Sequence, residues 1–260
     1  MAVLILFSKK RLLSIGLCLL LIVGATMGAL LIFPGQLSHA VRYVIHWQRR
    51  LPVYSVQTEE KKIAISFDAA WGADRTDELL AILEEHQIRT TFFLVRFWVE
   101  KYPEVVQRIA AAGHEIGNHS ATHPHMASLS PEQIQFELTS THELIKEVSG
   151  QEPYLFRPPF GEYSNRVIEN AEAVGYTTIQ WSVDSLDWKP LSAAEIAQRV
   201  TSRIEPGAIV LFHNNGEHTP AALRKVLQFC HQEGYEVVPI SELLLKGDYY
   251  IDVNGKMCPR

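Results

Sequence analysis

The chain has 260 residues, of which 47% are apolar and 20% are charged. This composition fits one compact domain with an additional segment and excludes a large disordered region. The formal net charge of −5 makes the chain a poor candidate for binding nucleic acid through phosphate groups.

The N-terminal segment has the features of a membrane anchor. Residues 1–11 form a short tail that ends in three basic side chains, and a continuous apolar run covers residues 12–33. An apolar run of this length spans a bilayer as a helix, and the basic residues before it predict a cytoplasmic N-terminus with the following domain outside the cell. The alternative is a signal peptide cleaved after Ala40, which would release a secreted domain.

The rest of the chain divides into three parts. Residues 34–60 are interpreted as a stalk, residues 61–246 as the folded domain and residues 247–260 as a C-terminal tail. Outside the apolar run the cysteines are Cys230 and Cys258. They could pair in an oxidising compartment or remain separate thiols, and the sequence leaves both alternatives open.

Within the folded domain, short apolar runs alternate with amphipathic segments. Runs of β-branched and aromatic residues predict buried strands, and apolar residues three or four positions apart predict helices. The predicted strands are Ile63–Phe67, Thr90–Val95, His114–Asn118, Tyr154–Phe156, Thr177–Val183, Ala208–Phe212 and Val237–Ile240. The predicted helices are Thr76–His86, Pro103–Ala112, Pro131–Ser149, Asn165–Val174, Ser192–Ile204, Pro220–Gln232 and Ser241–Leu245.

Local capping signals and the order of the elements predict the fold class. Ser130 and Gln133 form a capping-box pattern, and Gly150 is in place to end the helix that they begin. Ser192 and Glu195 repeat the pattern. The alternation of about seven strands with helices predicts an α/β fold with a parallel sheet and helices outside it. A distorted (β/α) barrel and an open doubly wound sheet both satisfy this pattern.

Ionisable residues follow five of the predicted strands. The carboxyl ends of parallel strands meet on one face of such folds, and active sites form there. One such residue would be ordinary, whereas five strand ends that deliver charged or imidazole groups to one face indicate a site. The residues are Asp68, His119, His123, Arg157, Asp184, Asp187 and His213.

Each of these residues also has a structural interpretation. The four-residue spacing of His119 and His123 suits two ligands of one metal ion, although an isolated pair would more often be solvated loop histidines. The two prolines after Arg157 stiffen a loop that could hold its guanidinium against a carboxylate. Asp184 and Asp187 could be solvated turn residues, or one of them could raise the pKa of a histidine that acts as an acid.

Four ordered motifs resemble those of the NodB-homology polysaccharide deacetylases, carbohydrate esterase family four. His119–His123 is similar to H-[ST]-x-x-H, and Arg157–Gly161 is similar to R-P-P-[YF]-G. Asp184–Trp188 matches D-x-x-D-W, and Leu211–His213 matches L-x-H. The N-terminal apolar run and the first motif, S-F-D-A-A-W-G, resemble the sporulation-associated PdaB-like branch.

The resemblance implies a distorted β/α barrel that hydrolyses N-acetyl groups on N-acetylglucosamine-type polysaccharide, with peptidoglycan in sporulation as the expected substrate. By position in the motifs, Asp68 would be the general base and Arg157 would orient it. His213 would be the general acid, with its pKa set by Asp187.

The resemblance also implies a metal site and a substrate-binding rim. His119 and His123 would hold a divalent metal, with zinc expected. Trp188, Phe160 and Trp71 would line the sugar or acetyl pocket, although plain packing is the alternative for the tryptophans.

The first motif departs from the family pattern at one position. The family reads T-F-D-D-G, and its second Asp is the third metal ligand, whereas this chain has Ala69 there. A catalytic zinc has three protein ligands and one open position, so two imidazoles fall one ligand short. Two hypotheses follow: a polysaccharide N-deacetylase, or a weak or inactive homologue that binds glycan or a partner in sporulation.

Overall fold

The structure is a computed structural model that describes residues 49–260. Residues from Arg50 to Arg260 form one compact unit. The predicted anchor at residues 12–33 lies outside the described residues. Within 49–260, each helix is too short or too polar to cross a bilayer.

The predicted alternation of strands and helices is present in the described chain. The strands are β1 (Ser55–Val56), β2 (Lys62–Ala69), β3 (Thr91–Leu94), β4 (Glu115–Asn118), β5 (Leu155–Phe156), β6 (Thr177–Thr178), β7 (Val183–Asp184), β8 (Ile209–His213), β9 (Glu236–Val238), β10 (Tyr249–Ile251) and β11 (Lys256–Pro259). The helices are α1 (Thr76–Glu85), α2 (Arg96–Lys101), α3 (Pro103–Ala111), α4 (Pro131–Ser149), α5 (Asn165–Ala173), α6 (Ala193–Thr201), α7 (Thr219–Glu233) and α8 (Ile240–Leu243).

The main sheet is parallel throughout. Its strands follow the order β6-β5-β4-β3-β2-β8-β7, and β9 also pairs with the start of β2. The central strand β2 therefore pairs with β3, β8 and β9. The seven strands of this order form a half-barrel, which confirms the predicted parallel α/β architecture.

The core lies between the central strands and the helices. Phe67 on β2 stacks on Phe92 of β3 with 4.9 Å between ring centroids and on Phe212 of β8 with 5.9 Å. All three rings are fully buried, and each buried aromatic ring contributes roughly 1.5–3 kcal/mol of transfer free energy. This packing fixes the three strands whose ends carry the site.

The folded unit begins before the predicted boundary at residue 61. Val53 bridges to Ile179, and Ser55 bridges to Ala208. The chain passes so close to Gly207 that a Cβ there would lie 1.7 Å from the carbonyl oxygen of Val56, and Gly207 has a φ of +80°. Residues 53–56 are thus part of the domain rather than of a stalk.

The folded unit also extends beyond the predicted boundary at residue 246. Strand β11 pairs in parallel with β1 and antiparallel with β10, and these three strands form a small second sheet. Most of the segment interpreted as a C-terminal tail is therefore folded. Cys258 in β11 and Cys230 in α7 are both buried free thiols, so the two residues do not form a disulfide here.

Two local predictions differ from the structure. The segment Thr177–Val183 was predicted as one strand, but it forms the short strands β6 and β7 because its middle turns to pair with Val53. The helix α2 was missed, since its Phe-Trp-Val sequence has aromatic and β-branched residues that are typical of strands.

Candidate active site

A cavity of about 1210 Å³ opens at the carboxyl ends of the central strands. The ends of β2, β7 and β8 and the loops after β4 and β5 surround it. The structure places all the predicted site residues in its wall except Arg157, which lies buried beneath it. The predicted residues in the wall are Asp68, Trp71, His119, His123, Phe160, Asp184, Asp187, Trp188 and His213.

The buried floor of the site is an ion pair between Asp68 and Arg157. The Arg157 Nη1 donates to Asp68 Oδ1 at 2.8 Å, and the Asp68 side chain is 8% exposed. Burial alone would raise the pKa of Asp68, but the charge of Arg157, with smaller contributions from His119 and His213, holds that pKa below its usual value. Asp68 is therefore a carboxylate at neutral pH and can accept a proton.

Arg157 is held by several elements at once. Its Nη2 donates to Ser66 Oγ at 2.9 Å and to the carbonyl oxygen of Gln180 at 3.2 Å. Its guanidinium lies 4.2 Å from the centroid of the Phe93 ring, which is within the range of a cation–π contact. Fully buried in this way, Arg157 cannot change rotamer without losing these contacts.

The hydrogen bonds of His119 define its tautomer. Its Nδ1 lies 2.7 Å from the carbonyl oxygen of Arg157, and a carbonyl only accepts, so Nδ1 donates and Nε2 bears the lone pair. Burial lowers the pKa of His119 more than the charge of Asp68 raises it, which keeps the ring neutral. The Nε2 atom lies 3.5 Å from Asp68 Oδ2.

His123 sits among aromatic rings at the edge of the cavity. Its ring lies 5.0 Å from His119, 4.8 Å from Trp71 and 4.5 Å from Phe160, measured between centroids. Burial, and to a smaller extent the neighbouring His119 imidazole, lower the pKa of His123 to about 4. Both predicted metal-ligating imidazoles are therefore adjacent and neutral at pH 7.

His213 faces the cavity from the end of β8 and is bound to Asp187. The His213 Nδ1 lies 2.7 Å from Asp187 Oδ1, and its backbone N–H donates to Asp187 Oδ2 at 2.8 Å. Burial alone would lower the pKa of His213, but the hydrogen bond and charge of Asp187 outweigh it and raise the pKa. A protonated His213 can serve as a proton donor.

The metal position lacks a third ligand in the described part of the chain. Ala69 is fully buried and carries only a methyl group. Asp77, a candidate replacement, forms a bidentate ion pair with Arg108 instead. No group of three or more His, Cys, Asp or Glu side chains within residues 49–260 could hold a metal ion. The donor set therefore does not fit a catalytic zinc.

Backbone strain is concentrated around the cavity. Among the described non-glycine residues with positive φ, Ser120, His123, Phe160 and Leu186 lie in the loops at the site, and only Gln87 lies elsewhere. Such conformations cost of order 1–3 kcal/mol each and are typical of functional sites, where surrounding contacts hold them.

Three exposed aromatic side chains form the rim. Trp71, Phe160 and Trp188 are 65%, 60% and 61% exposed. Monomeric proteins bury most large aromatic rings, so three exposed rings at one cavity indicate a binding surface. Lys189 lies with its Nζ 5.0 Å from the centroid of the Trp188 ring.

Three supporting residues had no signal in the sequence. Ser66 accepts from Arg157, and Thr219 donates to Asp187 Oδ2 at 2.7 Å. Glu137 in α4 accepts hydrogen bonds from the backbone N–H groups of Ala121 and Thr122, each at 2.8 Å. A Ser, a Thr and a helical Glu are ordinary residues, and only the fold reveals their partners.

The sequence matches a known family over its first strands. Residues 55–179 match the family model of polysaccharide deacetylase. The matched range includes Asp68 and Arg157 and ends before the strand that carries His213.

Two bacterial relatives match over most of the folded unit. The chain is 34% identical to YlxY of Bacillus subtilis (strain 168) over 193 residues, which are 74% of this chain and 60% of YlxY. It is also 34% identical over 196 residues to a peptidoglycan-N-acetylglucosamine deacetylase of Bacillus cereus (strain ATCC 14579), with 74% of this chain and 92% of that protein covered. The match thus spans less than two thirds of YlxY.

Solved structures give a related result. Wild-type BA3943 of Bacillus anthracis, a CE4 (carbohydrate esterase family four) pseudoenzyme, superimposes with a TM-score of 0.72 at 35% identity, covering 74% of this chain and 68% of that chain. A BA3943 mutant with restored enzymatic activity superimposes with the same TM-score at 36% identity, covering 74% of this chain and 70% of that chain.

Proposed function

Because this chain belongs to the polysaccharide deacetylase family, carbohydrate esterase family four, we propose that its cavity recognises peptidoglycan-type polysaccharide and that the native chain hydrolyses N-acetyl groups weakly. The observation that carries the proposal is a site with acid and base in position but without a third metal ligand at Ala69. The peptidoglycan assignment is supported by relatives named as peptidoglycan deacetylases.

The acid–base pairs support chemistry on an amide bond. Asp68, held as a carboxylate by Arg157, can accept a proton from an attacking water. His213, whose pKa is raised by Asp187, can donate a proton to a leaving amine when its ring is protonated. These two roles require a base and an acid with pKa values shifted in opposite directions, and the two residues have them.

The same site does not support the metal that the family uses. Bound zinc would polarise the acetyl carbonyl and lower the pKa of a water molecule. His119 and His123 supply two ligands, and Ala69 supplies none. Since catalytic zinc sites hold the ion with three protein ligands, we expect weak metal binding and slow hydrolysis.

A change at Ala69 tests the proposal. The native protein and the Ala69→Asp variant are compared by acetate release from N-acetylated chitin oligomers with zinc supplied. We expect little acetate from the native protein and a large increase for the variant. Ala69→Asn is the matched control because it has the same shape without the charge, and it should stay near the native rate.

A fully active deacetylase is the second candidate function. The Asp68–Arg157 and His213–Asp187 pairs favour it, because they supply both the proton acceptor and the proton donor that hydrolysis of an amide needs. Acetate release by the native protein with zinc, cobalt or manganese at a rate equal to that of Ala69→Asp would establish this second function and remove the first.

The cellular setting is part of the proposal. We expect residues 12–33 to anchor the chain in the cell membrane with the folded unit outside, because of the basic cluster before the apolar run. The likeness of the first motif to the PdaB-like branch supports a role in sporulation. Protease added to intact cells should digest the domain, and a protected domain would contradict its placement outside the cell. Deletion of the gene should change the acetylation of spore peptidoglycan, and unchanged spore peptidoglycan would contradict the role in sporulation.

A further inference from the structure

Asp68 and His119, with His123 beside them, form a polar corner of the cavity (the acceptor corner), in which one atom of Asp68 and one of His119 accept no hydrogen bond from the described residues. Since the Nδ1 of His119 donates to the carbonyl oxygen of Arg157, its Nε2 is an acceptor. That Nε2 faces Asp68 Oδ2 at 3.5 Å, and within the described residues this oxygen accepts no hydrogen bond. His119 is 3% exposed and Asp68 is 6% exposed.

Two acceptor atoms that face each other in a cavity wall favour a ligand that brings a donor or a positive charge between them. Both residues line the open cavity, so a bound donor or cation can reach these two atoms. In the family a metal ion is expected to fill this role, but Ala69 leaves the corner one ligand short for zinc. An alkylammonium group needs no such ligand set, since it brings three N–H donors and one positive charge.

Aromatic rings border the same corner. Trp71 and Phe160 both contact His123, with ring centroids 4.8 Å and 4.5 Å from it. Both rings line the cavity and are more than half exposed. The faces of aromatic rings attract ammonium groups, so this border favours a cationic ligand as well as the apolar face of a sugar ring.

The charge of the cavity also favours a cation. Five carboxylates line it. They outnumber Lys189 in the wall, Arg157 beneath it and His213, a histidine whose pKa is raised. Cavities lined mostly by one sign of charge concentrate ligands of the opposite sign. The carboxylates are Asp68, Asp184, Asp187, Glu195 and Glu217.

We propose that the cavity selects polysaccharide units whose amino group is free, and that the ammonium of a glucosamine unit binds at the acceptor corner. The chain would then be a receptor for de-N-acetylated glycan, the product of its catalytic relatives. This inference rests on the proposed function, because it requires that the cavity recognises polysaccharide. An acetylated unit binds less well, since its acetamide offers one N–H donor, no charge, and a carbonyl oxygen that the two acceptors repel.

A comparison of two oligomers tests the inference. The full-length protein, in detergent because of its N-terminal apolar run, is titrated calorimetrically with fully N-acetylated and fully de-N-acetylated β-1,4-glucosamine oligomers of one length. We expect the amine oligomer to bind at least about tenfold more tightly. Equal binding, or tighter binding of the acetylated oligomer, overturns the selectivity but supports a polysaccharide site. Absence of binding to either oligomer overturns the proposed function as well.

Variants separate the corner from general charge attraction. Asp68→Asn should abolish the preference for the amine, whereas Asp74→Asn, an exposed residue of the following loop, should keep it. If Asp74→Asn abolishes the preference equally, attraction to the acidic surface explains it and the inference fails.

A second variant, Ala69→Asp, tests the acceptor corner while it keeps Asp68, the partner of Arg157. In Ala69→Asp with zinc bound, the ion and the ammonium compete for the same atoms, so the preference for the amine should disappear. A preference that survives in zinc-loaded Ala69→Asp would overturn the assignment of the corner.

Discussion

At the scale of single residues, the ion pair of Asp68 and Arg157 differs from the surface pairs of this chain. Arg157 is fully buried, and its side chain meets one carboxylate, one hydroxyl and one carbonyl. The pair of Arg224 and Glu85 is by contrast about half exposed on both sides. Removing one member of a buried pair leaves an uncompensated charge, whereas exposed pairs contribute little.

Replacement of Arg157 should therefore destabilise the fold strongly. For Arg157→Gln we expect a loss of about 3–5 kcal/mol in the free energy of unfolding, because Asp68 would be left buried without its cation. Urea unfolding measures the change. Arg224→Gln, the matched control, should lose no more than about 1 kcal/mol. Equal losses in the two variants would contradict the role given to burial.

The pKa values of His213 and His123 should lie on opposite sides of the ordinary histidine value. The pKa of His213 is raised by Asp187, so the stability from its protonation is full below about pH 6.5 and is lost as pH rises through the folded value. The pKa of His123 is lowered to about 4, so the fold loses stability as pH falls from about 6.5 to about 4.

Proton NMR titration of the ring C–H signals tests this order directly. We expect His213 to titrate above about 6.5 and His123 near 4. Asp187→Asn should move the titration of His213 downward, because burial then acts without the carboxylate. A native His213 that titrates below His123 would refute the electrostatic description of the site.

The main site residues could be predicted from the sequence, but the residues that support them could not. Asp68, His119 and His213 follow strands, and parallel strands carry their ends to one face, so their convergence was predictable. Thr219 and Ser66 could not be predicted, because a hydroxyl gains its partner only through contacts distant in sequence. The absence of a carboxylate at Ala69 was readable from the motif alone.

At the scale of elements, helix α4 holds the loop that carries the two predicted metal-ligating histidines. Glu137 is buried in α4 and accepts from the N–H groups of Ala121 and Thr122 and from the Thr122 hydroxyl. Ser120 and His123 in this loop have positive φ, a strained conformation that needs such support. The carboxylate therefore stabilises the loop geometry.

Replacement of Glu137 should loosen this loop. In Glu137→Gln one acceptor oxygen becomes a donor, and hydrogen bonds to charged groups contribute about 1.5–3 kcal/mol each. We expect faster amide hydrogen exchange at residues 121 and 122 and a global loss of similar size. Glu143 is exposed on the same helix, so the control Glu143→Gln should leave the exchange rates and the free energy of unfolding unchanged. Unchanged exchange in Glu137→Gln would show that the loop does not depend on the Glu137 carboxylate.

Elements with local signals were predicted well, and those with distant partners were not. Helix α4 begins after the capping box of Ser130 and Gln133 and ends at Gly150 in a left-handed conformation, as predicted from the sequence. The split of Thr177–Val183 depends on Val53, which lies far away in sequence. No local pattern carries that information.

At the scale of the whole folded unit, its two ends are joined to the sheet. Strand β1 bridges the main sheet and pairs with β11, so residues near both boundaries depend on each other. Val53 and Val56 in this region are 2% and 1% exposed. Burying a valine contributes roughly 1.5–3 kcal/mol, so the N-terminal strand contributes appreciably to the stability of the domain.

A shortened fragment tests this dependence. Residues 61–260, which begin at the boundary predicted from the sequence, should unfold at lower urea concentration than residues 50–260, because β1 and its pairing with β11 are lost. A fragment of residues 50–246 should also be destabilised, through loss of the same pairing. Equal midpoints for all three fragments would show that β1 is not an integral part of the domain.

Ala69 is the expected reason for weak metal binding at an otherwise assembled site. Zinc titration of the native protein and of Ala69→Asp by calorimetry tests this most directly. We predict that Ala69→Asp binds one zinc ion at least about tenfold more tightly than the native protein, since even changes beyond the direct ligands alter affinity by 10–100-fold. Tight stoichiometric zinc binding by the native protein, with no gain in Ala69→Asp, would contradict the account.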